Sequence, residues 1–90
     1  MIKLPKKIEF IHEHDEPNIS SPSVHFKRAY CDGFVLDVKK INDKYCSTFQ
    51  LGDGSEPYFT GVAIFGASNE KDAIDAALDA AVRAKFVVRR

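Results

Sequence analysis

The chain has 90 residues, with thirteen basic against thirteen acidic side chains, 44% hydrophobic residues and 11% aromatic ones. That length gives one domain, which buries roughly 60 to 65 per cent of the surface its unfolded chain exposes, and the composition excludes intrinsic disorder. The cancelled charge removes the general electrostatic case for nucleic acid or an acidic membrane as partner, so either would need a local patch.

The N-terminal stretch, residues 1–7, reads as a basic lead carrying Lys3, Lys6 and Lys7, while Arg83, Lys85, Arg89 and Arg90 close the chain. A basic patch follows only if the two ends meet in space. The lead has no apolar stretch long enough for a signal peptide, and no run elsewhere approaches the roughly 20 apolar residues of a membrane span. The expected location is the cytoplasm, with no membrane partner.

Residues 8–14, Ile-Glu-Phe-Ile-His-Glu-His, alternate well enough for a first strand, and Asp15 to Ser23, with Pro17, Pro22 and three serines, predicts a loop. Cys31-Asp32-Gly33 fits a three-residue hairpin loop in which glycine supplies the left-handed position. That loop sets Tyr30 opposite Phe34, Phe26 opposite Val38 and Lys27 opposite Asp37. Asn42-Asp43 is a second tight turn, which sets Lys40 opposite Tyr45, Val38 opposite Ser47, Leu36 opposite Phe49 and Phe34 opposite Leu51.

The two turns together define an inner face of Val24, Phe26, Tyr30, Phe34, Leu36, Val38, Tyr45, Phe49 and Leu51, with Arg28 as a misfit in its middle. The outer face reads His25, Lys27, Ala29, Val35, Asp37, Lys39, Cys46, Thr48 and Gln50. Cys31 and Cys46 then lie about 20 Å apart, too far for a disulfide, and both are expected to be free thiols.

After the loop Gly52 to Pro57, the segment Tyr58 to Phe65 is apolar on both sides, as in a strand covered on two faces. Residues 69–86 predict a helix capped by Ser68 or Asn69, with Glu70 and Asp72 in its first turn and Arg83 and Lys85 near its end. Asp72, Asp75, Asp79 and Arg83 form a polar stripe, with Asp79 and Arg83 spaced for an i,i+4 pair. The remaining surface is small and Ala-rich, so the helix can lie very close to a sheet. The fold class is therefore α+β: one domain over 1–90, an antiparallel meander of four to five strands within 8–65, and one Ala-rich C-terminal helix packed on it.

Chemistry-bearing motifs are sparse. His12 and His14 share one side of a strand near several acids, but a zinc site needs three or four ligands, and a solvated strand end is the preferred reading. The loop Gly52-Asp53-Gly54-Ser55-Glu56 lacks the lysine and following helix of a phosphate loop and the ligand spacing of a calcium loop. Neither cysteine has a histidine and an orienting acid at a spacing that argues for catalysis. Gly66-Ala67-Ser68 before a helix could offer N–H groups to an anion, yet Glu70 and Asp72 would repel it, so it is read as a strand-to-helix turn. No cofactor is expected.

The segment Gly66-Ala67-Ser68, followed by Ala73, Ala76-Ala77 and Ala80-Ala81, resembles the end of a double-stranded RNA-binding domain, where a three-stranded sheet precedes an Ala-rich helix. The start of that family's helix carries a lysine cluster that grips phosphates. Here Asn69-Glu70-Lys71-Asp72-Ala73-Ile74 holds one lysine between two acids, which argues against the family's activity. Antitoxins of the HicB type are similar over the same third of the chain. Alanine spacing of this kind also follows from close helix-on-sheet packing alone, so no family is assigned from it.

Without a convergent acid, base and nucleophile, the reading is a non-enzymatic binding protein, a regulator or inhibitor of the kind that phages and mobile elements encode, acting through protein contact. The candidate binding residues are Lys27, Arg28, Asp37, Lys39, Tyr58 and Phe59. The alternatives are a nucleic-acid-binding domain and a homodimeric structural protein.

Overall fold

The computed structural model describes residues 2–18, 21–55 and 60–89. Its strands are β1 (Ile2–Lys3), β2 (His12–Asn18), β3 (Ser21–Cys31), β4 (Phe34–Ile41), β5 (Lys44–Leu51), β6 (Gly61–Ala67) and β7 (Val87–Val88), with one helix, α1 (Glu70–Arg83). Strands β2 to β6 form an antiparallel sheet in chain order, with α1 packed on one face.

The first strand begins later than expected and the segment read as a loop is mostly ladder. β2 runs to Asn18 and pairs with β3 from Ser21 onward. Pro17 is tolerated because β2 is an edge strand, and Pro22 of β3 because it lies past the last β3–β4 pair, His25 with Lys40, so neither proline interrupts a central ladder.

The first tight turn is two residues long, not three. Cys31 pairs with Phe34 across Asp32-Gly33, and Gly33 holds the left-handed conformation at φ +91. One residue fewer in the loop moves every side chain of β3 to the opposite face. Ala29 and Cys31 therefore join Phe34 and Leu36 on the helix side, while Phe26, Arg28 and Tyr30 go to the other side, correcting the expected inner and outer faces of this strand. The second turn is as expected: Phe34 opposes Leu51, Leu36 opposes Phe49, and Asn42 adopts φ +56.

The shorter loop prevails because β4 is buried on both faces. Phe34, Leu36 and Val38 point to the helix side, and Val35 and Asp37 to the other, yet all five are buried. A sheet covered on both sides loses the in/out alternation that a three-residue loop would have satisfied.

On the helix side Ala73, Ala77 and Ala81 are fully buried at i,i+4 spacing, and Ala77 and Ala81 pack in one cluster with Ala29, Phe34, Leu36 and Phe49. The absence of larger side chains along that line lets backbone approach backbone. Phe34, Phe49 and Phe86 stack in sequence, with ring centroids 4.8 and 6.2 Å apart.

The basic lead is part of this core. Leu4 is buried, Ile2 and Ile8 pack beside it, and β1 pairs parallel with β7, so the two chain ends do meet. Their charge is partly cancelled: Arg89 bonds Asp79 and Lys7 approaches Glu9. Asp79 is thus taken by Arg89 and not by Arg83, while Lys71 and Asp75 form the i,i+4 pair at 2.6 Å.

Asn69 caps α1, its Oδ1 accepting from the Asp72 N–H at 2.8 Å. At the other end Phe86 N–H donates to the Ala81 carbonyl and Lys85 N–H to that of Val82, a Schellman closure with Lys85 at φ +64. A left-handed residue with a Cβ carries about 1–2 kcal/mol of strain. Lys85→Gly is accordingly expected to raise stability by about 0.5–1 kcal/mol, part of the relief being offset by the looser unfolded chain. A urea unfolding curve checks this, and a lowered midpoint would contradict it.

Gly66-Ala67 belongs to β6 and not to a strand-to-helix turn. Tyr45 opposes Ala67 and Ser47 opposes Ile64, so β6 holds one extra residue there, with Gly66 at φ +81.

Candidate functional site

The sheet face turned away from α1 carries a group of polar and aromatic side chains. Its centre is Arg28 on β3, directly opposite Asp37 on β4 in the register set by the Asp32-Gly33 turn. Arg28 Nε donates to Asp37 Oδ1 at 2.7 Å and Nη2 to Oδ2 at 2.9 Å, a two-pronged pair. The pair is sheltered, since Asp37 is 8% exposed. Hydrogen bonding to Asp37 raises the Arg28 pKa further, against the opposing effect of burial.

Strand periodicity places an aromatic ring on each side of the guanidinium. Phe26 and Tyr30 lie two residues before and after Arg28, with Cζ 5.5 and 5.6 Å from their ring centres. Lys39 adds its Nζ at 5.6 Å from the Phe26 ring. Tyr30 is 51% exposed, whereas Phe26 is buried, so the cluster shows solvent one ring and one ammonium over a fixed ion pair.

The loop after β5 covers part of this face. A Cβ at Gly54 would lie 3.4 Å from Arg28 Nη1 and 3.6 Å from Val35 Cγ2, which places the loop over both and accounts for the burial of Val35. Asp53 closes the loop locally by accepting the Ser55 N–H at 2.9 Å.

Of the six residues expected to bind, Arg28, Asp37 and Lys39 come together here. Arg28 was expected on the inner face and lies on the outer one. Lys27 goes the other way: it faces the helix side, with Nζ 3.1 Å from Glu70 Oε1. Tyr58 and Phe59 lie outside the described residues. Sequence reasoning missed Phe26 and Tyr30 as members because the longer loop put them in the core, and charge pairing did not decide the loop length, since the longer loop sets Lys27 opposite Asp37 and the shorter one sets Arg28 there.

A scan of protein-family models finds no match to the chain, and searches of curated proteins and solved structures find none either.

Both Asp37 oxygens accept from Arg28, so this carboxylate is poorly placed for proton transfer or metal ligation. Among the described residues no three His, Cys, Asp or Glu side chains converge as a metal site requires. Both cysteines are free, and burial raises the Cys31 pKa, which disfavours the nucleophilic thiolate. Beside Tyr30 an open cavity of about 290 Å³, lined by Lys3, Lys7 and Ile11 among others, extends the exposed surface toward the N-terminal lead. Among the described residues no helix is long and apolar enough to cross a membrane.

Proposed function

We propose that this chain is a small non-enzymatic binding protein, a regulator or inhibitor of the phage or mobile-element type, that engages a protein partner through the sheet face turned away from α1. The observation that carries this reading is the Phe26, Arg28, Tyr30 and Lys39 cluster locked by Asp37. Arginine and tyrosine recur at the energetic centres of protein interfaces. A guanidinium already fixed between two rings loses little freedom on binding, so a partner meets a prepared surface.

The nucleic-acid reading is less favoured by the same geometry. Phosphate binding needs uncompensated cations, and here Arg28 is held by Asp37 and Lys27 by Glu70. At the start of α1, Asn69 and Asp72 bond each other and no lysine cluster faces outward.

The test is a side-by-side capture of partners from the source cell by the wild-type chain and by Tyr30→Ala and Lys39→Glu. Both substitutions alter exposed or half-exposed side chains and are expected to leave the circular dichroism spectrum unchanged while reducing recovery of the partner at least tenfold. Equal recovery by the variants would sink the assignment of this face. A gel shift across a salt series separates the alternative, because phosphate-driven binding weakens steeply as salt rises.

A further inference from the structure

The two edges of the sheet are built differently. Edge strand β2 carries Glu13, Asp15, Glu16 and Pro17, the residue types that keep an edge from pairing with another chain. Edge strand β6 reads Gly-Val-Ala-Ile-Phe-Gly-Ala, with no charge and no proline, and its Phe65 is 77% exposed. Among the described residues no strand pairs with β6 on the side away from β5.

The direction of the free backbone groups follows from the ladder. Thr60 C=O accepts from Leu51 N–H at 2.8 Å, so Thr60 points toward β5, as do Val62 and Ile64 by alternation. The N–H and C=O groups of Gly61, Ala63 and Phe65 therefore point outward along the open edge.

From this we infer that β6 is a self-association edge, and that its occupant is β6 of a second copy of this chain, paired antiparallel about a two-fold axis at Ala63. In that register Ala63 exchanges both hydrogen bonds with Ala63 of the second copy, and Gly61 does so with Phe65. Each Phe65 ring then lies across a glycine, where no Cβ competes for the space, an arrangement that shields the glycine backbone. On the helix side Val62 meets Ile64, extending the apolar layer of one copy into the other. The segment carries no charge, so the two-fold brings no like charges together, and an isologous contact closes at two copies.

The inference is independent of the partner-binding reading, because it concerns the edge beyond β5 and not the cluster around Arg28. A short strand pair sits at the low end of specific interfaces, so a dimer that dissociates in the micromolar range is expected.

Sedimentation velocity of the full chain from about 5 to about 500 μM is expected to show a monomer-to-dimer shift in this range. Ala63→Pro removes an outward N–H without touching the β5 ladder and is expected to leave a folded monomer throughout. Phe65→Lys, which places a charge on the edge, is expected to do the same and serves if the proline variant does not fold. The amide of Ala63 in the wild-type chain is expected to gain protection from hydrogen exchange as concentration rises. A wild-type chain that stays monomeric over the whole range overturns the inference, as does a dimer that persists in Phe65→Lys or forms without protecting Ala63.

Discussion

Gly61→Ala is expected to be the most damaging single-methyl change in the sheet, lowering stability by about 3 kcal/mol. An ideal Cβ at this position would stand 1.8 Å from the Phe49 carbonyl oxygen, 2.8 Å from its carbonyl carbon and 3.0 Å from Gln50 Cα. All three are backbone atoms of β5, so no side chain can swing aside. Relief requires β6 to lift from β5, which breaks the Phe49 with Val62 and Thr48 with Ala63 pairings and withdraws Val62 and Ile64 from the core. Overpacking costs typically about 1–3 kcal/mol, and a site closed by backbone belongs at the upper end. A domain of this length is stabilised by only about 5–13 kcal/mol in total, so the loss is a large fraction.

Gly66→Ala is the control for that measurement. It lies on the same strand but has nothing within 4 Å of an added Cβ, leaving only the strain of its left-handed backbone, about 1–2 kcal/mol. Urea unfolding of the two variants should therefore rank Gly61→Ala clearly below Gly66→Ala. The reverse order would mean that β6 does not approach β5 as closely as its backbone indicates.

The contrast between these two glycines shows what the sequence could convey. The helix was legible at its start because the signals there are local: Asn69 caps it, acids occupy its first turn, and the alanines at i,i+4 mark the face that meets the sheet; its end, expected at 86, comes at Arg83, where Lys85 turns left-handed and closes the last turn. The hairpin at Asn42-Asp43 was legible because Asn-Asp is a local signal for a tight turn, and the register it sets places Leu36 opposite Phe49 and Phe34 opposite Leu51. Gly61 was not, since nothing near it in the chain says that Phe49 will stand against it.

The Cys31-Asp32-Gly33 reading failed for a related reason. A three-residue loop gathers the apolar residues of β3 and β4 on one face, which suits a sheet with one dry face and one wet one. Here the loop containing Gly54 covers Val35 and part of Arg28, so the strands contribute buried residues to both sides. The charge pairing pointed both ways, for the longer loop aligned Lys27 with Asp37 and the shorter one aligns Arg28 with it. Only the tertiary context favours the second: it satisfies a sheltered carboxylate with two hydrogen bonds and leaves Lys27 free to reach Glu70 on the helix. The candidate site was accordingly half legible. Arg28, Asp37 and Lys39 could be named from the chain, but Phe26 and Tyr30 join them only once the loop length is known.

The same geometry makes Arg28→Leu a destabilising change. Were Arg28 a misfit lying along an apolar face by its aliphatic stem, leucine would be neutral or stabilising. In this fold the substitution strips a buried carboxylate of both its charge-assisted hydrogen bonds. Removing one partner of a fully buried ion pair costs about 3–5 kcal/mol, because the other is left charged and desolvated. The Arg28 side chain keeps 25% of its exposure and Asp37 11%, so water can return in part, and about 2–3 kcal/mol is expected. Asp37→Leu should cost less, since a lone guanidinium at this depth can turn its head toward solvent and remain against the Phe26 and Tyr30 rings.

The double variant Arg28→Leu with Asp37→Leu separates pairing from packing. With both charges gone, the leucines can fill the space beneath the Gly54 loop, and stability should return to within about 1 kcal/mol of wild type, as when other buried pairs are exchanged for apolar residues. Additive losses in the double variant would show that the two residues do not act as a unit. Partner capture then reads the functional question apart from the fold. A double variant that is stable yet captures no partner would assign the pair to recognition, whereas undiminished capture would confine it to holding β3 against β4.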